Sequence, residues 1–466
     1  MTAPDHIIHI IPRLIGGGPE RSILAHAYES TVAGRPLRRT VLVLDPPVAP
    51  SMLIASRRLG IEVLTRFDDD VVCAMVSACH LLHVHFWNHP TLFRLLRRLR
   101  LPPTRLVVTA HVLGTSLPQM LPAEIGALAD VLILTSADSL RSQGARAAPR
   151  VEILPSIIDR SRMVEPTEPL VRTPDQPVVG YLGSLAPTKL HPHIVELCTA
   201  VTHPTARFVF RGSGEDPMLL MQRFAGTHLA SRVEVGGSVE DIASLLHGFD
   251  VFGYPLAPGT YATSDRVLQE AMWMGAPPVV LGGSAPASFV QHGVTGLVVD
   301  EQGYPTAIDD LLSDQDARAT LGDAAREWAR TTLDPTLGNT RMLQIYGDLL
   351  DGPKRDREPI SGEDDPAAVG FLHSLGWPDD DAARCFAISL GLIDGDATAA
   401  DRMIAASPPV LSGGEGGIVH YRNSFSDDPH LRWWSALVAR HAGNRSLADD
   451  EAAAARSFGL PARAWP

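Results

Sequence analysis

An alternation that runs through the chain twice constrains its fold more than any other feature of the sequence. Short, continuous apolar runs are separated by stretches with helical spacing: HIIHII (6–11), RTVLVLD (39–45), HLLHVHF (80–86), RLVVTAH (105–111) and DVLILTS (130–136) form the first set. VVGYLGSL (178–185), ARFVFRGSG (206–214), RVEVGG (232–237), FDVFGYP (249–255), PPVVLGG (277–283) and GLVVD (296–300) form the second. A strand that faces water on one side alternates polar and apolar residues, whereas these runs are predominantly apolar, as strands covered on both faces are. Strands of that kind interleaved with helices predict a doubly wound parallel sheet. The fold class is therefore α/β, with two doubly wound Rossmann-like domains in tandem.

The boundaries follow from where the pattern stops. The first domain is expected over 1–165 and the second over 178–335, joined by the polar, proline-bearing stretch RSRMVEPTEPLVRTPDQP (160–177). A closing helix is expected over 336–352. The charged connector DGPKRDREPISGEDDP (351–366) leads to an added C-terminal α-helical region over 367–466, without strand alternation. Within it HLRWWSALVARHAG and SLADDEAAAARSFG read as a helix hairpin turning at Gly443-Asn444. One such unit without a detectable period favours a helical appendage over a tetratricopeptide-like repeat. The appendage is a candidate surface for self-association.

Composition bears mainly on partners. A length of 466 residues exceeds what one core normally spans, in agreement with two domains or more. The formal net charge of -13 argues against nucleic acid and anionic membrane as general partners, so a bound anion must be held by a local site. Among the 40 basic residues only Lys189 and Lys354 are lysines, a bias that suggests a GC-rich, actinobacterial source. The four cysteines show no metal-site or disulfide-framework spacing. No segment reaches the ~18 apolar residues of a membrane span, and a cytoplasmic location is expected.

Four places put backbone donors or charge where a phosphate could sit. The Gly16-Gly17-Gly18 run lies between a strand and a helix starting near Pro19, and reads equally as an anion-binding loop or as a tight turn. Lys189, in GSLAPTKLHPH, is a candidate point charge for a phosphate. The Gly212-Ser213-Gly214 run after FVFR reads first as a turn. In TSDRVLQEAMWMG a helix begins near Ser264 or Asp265, leaving the amides of Asp265, Arg266 and Val267 to meet an anion. Glu270 lies further along the same side, where a carboxylate suits vicinal hydroxyls, such as those of a ribose, better than phosphate. His83 and His85 share a strand face and read as packed side chains rather than metal ligands; His111 falls at a strand end. The basic helix LFRLLRRLRL reads as a solvated face.

The ordered set GGGPER, LLHVHFW, TAHVLGT, LPSIID, GSLAPTK, RGSGEDP, VEVGGSVEDIASLLHGFDVFGYP, QEAMWMGAPPVV and HGVTGLVVD resembles the retaining GT-B glycosyltransferases of family 4, over roughly residues 5 to 350. The resemblance implies a nucleotide diphosphate sugar donor, UDP- or GDP-linked, as co-substrate, with no cofactor and no metal. It implies a small-molecule acceptor, and a specialised-metabolite setting suits the coding bias; a lipid or polysaccharide acceptor stays open. It places His111 near the donor sugar, Gly17 and Gly18 by the diphosphate or sugar, Lys189 on the pyrophosphate and Glu270 on the ribose hydroxyls. Ser184, Arg211, Gly212, Ser238, Val239, Ser264, Asp265, Arg266 and Val267 complete the implied donor site. Two positions depart from the family pattern: its first motif glutamate falls on Ala262, and the arginine five residues before the lysine falls on Ser184. These departures leave open a non-catalytic homologue that binds nucleotide or a partner protein.

Overall fold

The computed structural model describes residues 4–165, 175–214, 217–361 and 365–463. Residues 166–174 of the expected linker and 362–364 of the expected connector lie outside the described residues. The chain divides into two compact units, one of Met1–Glu20, Leu37–Ile153 and Ile345–Pro466, the other of Arg21–Pro36 and Leu154–Gln344.

The first unit holds a seven-stranded parallel sheet of β1 (His6–Ile11), β2 (Arg38–Val43), β3 (Glu62–Leu64), β4 (Leu81–Phe86), β5 (Leu106–Ala110), β8 (Val131–Leu134) and β9 (Val151–Ile153). Its order is β3-β2-β1-β4-β5-β8-β9, and a two-residue antiparallel ladder, β6 (Thr115–Ser116) with β7 (Gln119–Met120), lies beside it in sequence. Ile8, Ile10, Leu82, Val84, Leu106, Val108, Leu132 and Leu134 come together in one apolar cluster. β3, with only three residues of which one is charged, has no apolar run to announce it.

The helical region expected as a separate extension belongs to this first unit. Its own core is built from Phe371, Phe386, Tyr421, Trp433 and Trp434, with Phe386 and Trp434 packed edge to face at 4.9 Å. Both buried indoles are satisfied: Trp433 donates to Asp401 at 3.0 Å and Trp434 to Ser389 at 2.9 Å. The helices Pro429–His441 and Arg445–Ser457 form the expected hairpin. Gly443 takes φ +81 between them, and the Asn444 side chain caps the second helix by accepting from the Leu447 amide. Tyr421 donates to Asn88, and Asn88 donates to Ser374, both within hydrogen-bond range of the loop after β4.

The second unit holds a six-stranded parallel sheet of β10 (Val178–Ser184), β11 (Arg207–Ser213), β12 (Val233–Gly236), β13 (Val251–Tyr254), β14 (Pro278–Leu281) and β15 (Leu297–Val299), in the order β12-β11-β10-β13-β14-β15. Phe208, Phe210, Phe252, Tyr254, Val279 and Val280 belong to its core, with Leu268, Ala271 and Met272 from the helix Arg266–Met274. The segment Arg21–Pro36 is pinned to this unit by the Arg160–Glu29 ion pair.

The expected closing helix is present as Pro335–Leu350, and the division between the units falls within it. The chain passes between the units after Glu20, Pro36, Ile153 and Gln344.

Candidate donor site

In the second sheet the strand order reverses direction between β10 and β13. The loops that leave the carboxyl ends of two such strands diverge to opposite faces, and the crevice between them is where doubly wound sheets hold ligands. Lys189 follows β10, and the helix Arg266–Met274 follows β13, so both stand at this reversal.

Lys189 Nζ donates to Asp265 Oδ1 at 2.8 Å, and the Tyr254 hydroxyl donates to the other oxygen of that carboxylate, also at 2.8 Å. Burial opposes the ammonium charge, but Asp265 and Tyr261 outweigh it and hold Lys189 above its ordinary range. Asp265 is the residue just before the helix, with φ +35, the one non-glycine residue among those described with a positive φ. A left-handed aspartate is costly, and here it is over-determined by two hydrogen bonds, a pattern typical of functional sites.

Glu270 lies one turn into the helix, 3% exposed, with Oε1 3.2 Å from the Arg266 Nε. Burial pushes its carboxyl above the ordinary range; Arg266, Arg162 and Arg21 oppose that push, while Asp159 adds to it. The same neighbours act on Arg21, which falls to about 10 through burial and the like charges of Arg162 and Arg266, only partly relieved by Asp159 and Glu270. Three guanidinium groups thus share a neighbourhood with two carboxylates beside a helix N-terminus. A guanidinium depressed by neighbouring cations is relieved by an anion, and the first-turn amides have no carbonyl partner within the helix. The arrangement favours a multiply charged anion such as a diphosphate.

The remaining expected donor residues are held in different ways. Ser264 is buried, and its Oγ accepts from the Ser156 amide at 3.2 Å. Val267 packs on the sheet core. Ser184 ends β10; its Oγ accepts from the Ala186 amide, and its carbonyl accepts from the Tyr181 hydroxyl at 2.6 Å. Arg211, on β11, pairs with Glu234. Gly212 is dictated by strand packing, since a Cβ there would sit 1.6 Å from the Gly183 carbonyl oxygen. Ser238 is exposed and Val239 half-buried in the loop after β12.

His111, Gly17 and Gly18 belong to the first unit. Gly18 opens the helix Gly18–Val32. A Cβ at Gly17 would lie 2.6 Å from Glu20 Oε2, so a side chain there would displace the Glu20 carboxylate. His111 follows β5 and is joined to a run of imidazoles: His111 Nε2 lies 3.0 Å from His85 Nδ1, and His85 Nε2 lies 3.0 Å from His9 Nδ1. His83 stacks on His85 and bonds Tyr346 and Thr109, each at 2.7 Å. His9, His83 and His85 approach closely enough to share an ion, but Tyr346 and Thr109 already occupy both ring nitrogens of His83.

Sequence reasoning passed over Arg21, Arg162 and Asp159, although GGGPER and IIDRSR contain them. Arginine is so frequent in this chain that neither position drew attention, and only folding brings them to Glu270.

Comparison with known proteins agrees with the geometry. Residues 176–314 match the family model described as Glycosyl transferases group 1, so the second unit carries a domain of that kind. A GDP-mannose-dependent alpha-mannosyltransferase of Mycolicibacterium smegmatis is 30% identical over 210 residues, 42% of this chain and 52% of that relative. An N-acetyl-alpha-D-glucosaminyl L-malate synthase of Bacillus anthracis is 27% identical over 161 residues, 34% of this chain and 41% of that relative. The chain thus spans about half the length of the curated relatives it matches. Among solved structures, Anabaena HepE in complex with UDP and glucose superimposes with a TM-score of 0.59 at 17% identity, covering 74% of this chain and all of that one. The two Rossmann-like α/β domains match neighbours of the GT-B fold, and the helical C-terminal region is added to them. Among the described residues, no helix is long and apolar enough to cross a membrane.

Proposed function

We propose that this protein is a glycosyltransferase that moves a sugar from a UDP- or GDP-linked donor to a small-molecule acceptor, with retention of configuration and without a metal. The observations that carry this reading are the buried Lys189–Asp265 pair at the strand-order reversal, within the segment matching Glycosyl transferases group 1, and the Arg21, Arg162 and Arg266 guanidiniums that act on Glu270 in the helix that follows. In the proposed reaction the bond between the anomeric carbon and the β-phosphate oxygen breaks, the acceptor oxygen bonds to the same face of that carbon, and its proton passes to the departing phosphate. Preorganised cations stabilise the charge that develops on the leaving group, the task a metal performs elsewhere. Glu270 holds Arg266 in place and accepts from the ribose hydroxyls. His111 stands by the donor sugar, its ring oriented by His85. The mannosyltransferase and malate synthase similarities support a nucleotide-sugar donor. A cytoplasmic role in specialised metabolism remains the setting we favour.

A second reading, a homologue that binds nucleotide without transfer, is favoured by Ala262, which is 2% exposed within the second core and carries no carboxylate for sugar hydroxyls. Turnover measurements with a panel of UDP- and GDP-sugars separate the two. Release of UDP or GDP supports the transferase, and tight nucleotide binding with no turnover on any donor supports the second reading.

A further inference from the structure

The first sheet has its own reversal of strand order, between β1 and β4. The residues that leave the carboxyl ends of these strands and of β2 are Arg13, Trp87, His89 and Asp45. They are joined by side chains from the helical region, more than three hundred residues further along the chain. Trp87 Nε1 donates to Glu415 Oε1 at 2.9 Å, and Arg13 Nη1 lies 3.6 Å from the same oxygen. Arg13 Nε donates to Asp45 at 3.1 Å, and Arg13 Nη2 lies 3.2 Å from His420 Nε2.

The loop that carries Glu415 is Gly413-Gly414-Glu415-Gly416-Gly417, and it is held firmly. Gln119 donates to the Glu415 carbonyl at 2.8 Å, and the Gly416 amide donates to His420 Nδ1 at 3.1 Å. Gly416 has φ +83, and a Cβ there would meet Asn88 and Gln119 at 3.0 Å. No side chain fits at that position, so the close approach of this loop to the strand ends is built into the sequence.

These groups are paired with one another, yet the Glu415, Asp45 and Arg13 side chains remain 42%, 39% and 32% exposed. Two carboxylates and a guanidinium thus stay accessible at the reversal point of a doubly wound sheet, the place where such sheets bind ligands. Acceptors and donors in that combination match a compact molecule bearing several hydroxyls.

We propose that the Gly413–Gly417 loop of the helical region completes a binding site for a polyhydroxylated acceptor, with Glu415 as its specificity-determining carboxylate. This inference rests on the transferase reading for the word acceptor, but not for the binding itself. Glu415 receives the Trp87 N–H through one oxygen and turns the other to the ligand; Asp45 and Arg13 bond further hydroxyls.

The test is saturation-transfer NMR and calorimetry on the full chain, using free monosaccharides, methyl glycosides and inositols as probes, with and without UDP and GDP. At least one probe is expected to bind the wild type. Glu415→Ala and Asp45→Asn are expected to weaken it tenfold or more, with UDP and GDP affinity unchanged. Glu415→Gln, which still accepts from Trp87, is expected to keep the wild-type melting temperature while weakening the probe, an outcome that a purely structural contact would not give. The proposal is overturned if no probe binds, or if Glu415→Gln binds every probe as the wild type does. Failure of UDP and GDP to bind would count against the donor site instead, and leaves the sugar titration readable by itself.

Discussion

Replacing Lys189 by Met tests the donor site through two separable effects. In the free protein, Lys189 and Asp265 are each only 12% exposed at the side chain, in contact at 2.8 Å. Removing the lysine leaves a buried carboxylate with the Tyr254 hydroxyl still donating to it, and breaking a buried pair in this way costs about 3–5 kcal/mol. The stability loss alone would confuse any binding measurement. A companion change, Asp265→Asn, removes the stranded charge, still accepts from Tyr254, and tolerates the left-handed backbone at this position. The double variant should therefore recover most of the stability lost by Lys189→Met. It should not recover nucleotide affinity: a missing buried charge contact to a phosphate costs about 2–5 kcal/mol, or roughly 30- to 5,000-fold in Kd. Urea denaturation and titration calorimetry with UDP and GDP measure the two quantities. A double variant that is as stable as the wild type and binds both nucleotides with wild-type affinity would refute the assignment of Lys189 to the phosphates.

Other perturbations follow from the same geometry. Arg21→Gln should weaken UDP or GDP by roughly 10- to 100-fold, about 1.4–2.8 kcal/mol, without lowering stability, because it relieves like-charge crowding in the free protein; calorimetry and a melting curve report both. His420 is held at about 4, below its ordinary 6.5, by burial and by Arg13. Its neutral form is the one that fits, so its contribution is complete above about pH 6.5 and is lost as the pH falls towards about 4, while the unfolded chain takes up the proton. The loss is on the order of 2–3 kcal/mol, and His420→Gln should flatten the fall in the urea midpoint over that interval. Gly443→Ala, at φ +81 in open space between the last two helices, should cost about 1–2 kcal/mol of stability and leave nucleotide binding unchanged.

Periodicity made the two sheets legible because a strand covered on both faces has to be apolar along its whole length, and runs such as LVVTA and VLIL admit few other placements. Glycine punctuation located the turn at Gly443, where φ is +81. Lys189 stood out for a compositional reason, as one of two lysines. The partner it has in the free protein, Asp265, was named as a donor-site residue, but nothing in the sequence placed the two in contact. Glu270 was seen as a carboxylate for hydroxyls; its pairing with Arg266 follows from helical spacing and could have been read.

What the sequence by itself determined is local and periodic: which segments are strands, which are helices, and where backbone must bend. Those properties depend on neighbours a few residues apart. Only tertiary structure decided that Arg21 and Arg162 act on Glu270, that His9, His85 and His111 form a hydrogen-bonded run, and that a glycine loop near residue 415 lies against the ends of β1 and β4. Contacts of that kind depend on which faces find each other when apolar surface is buried. An arginine in a chain with many arginines carries no mark of the carboxylate it will meet.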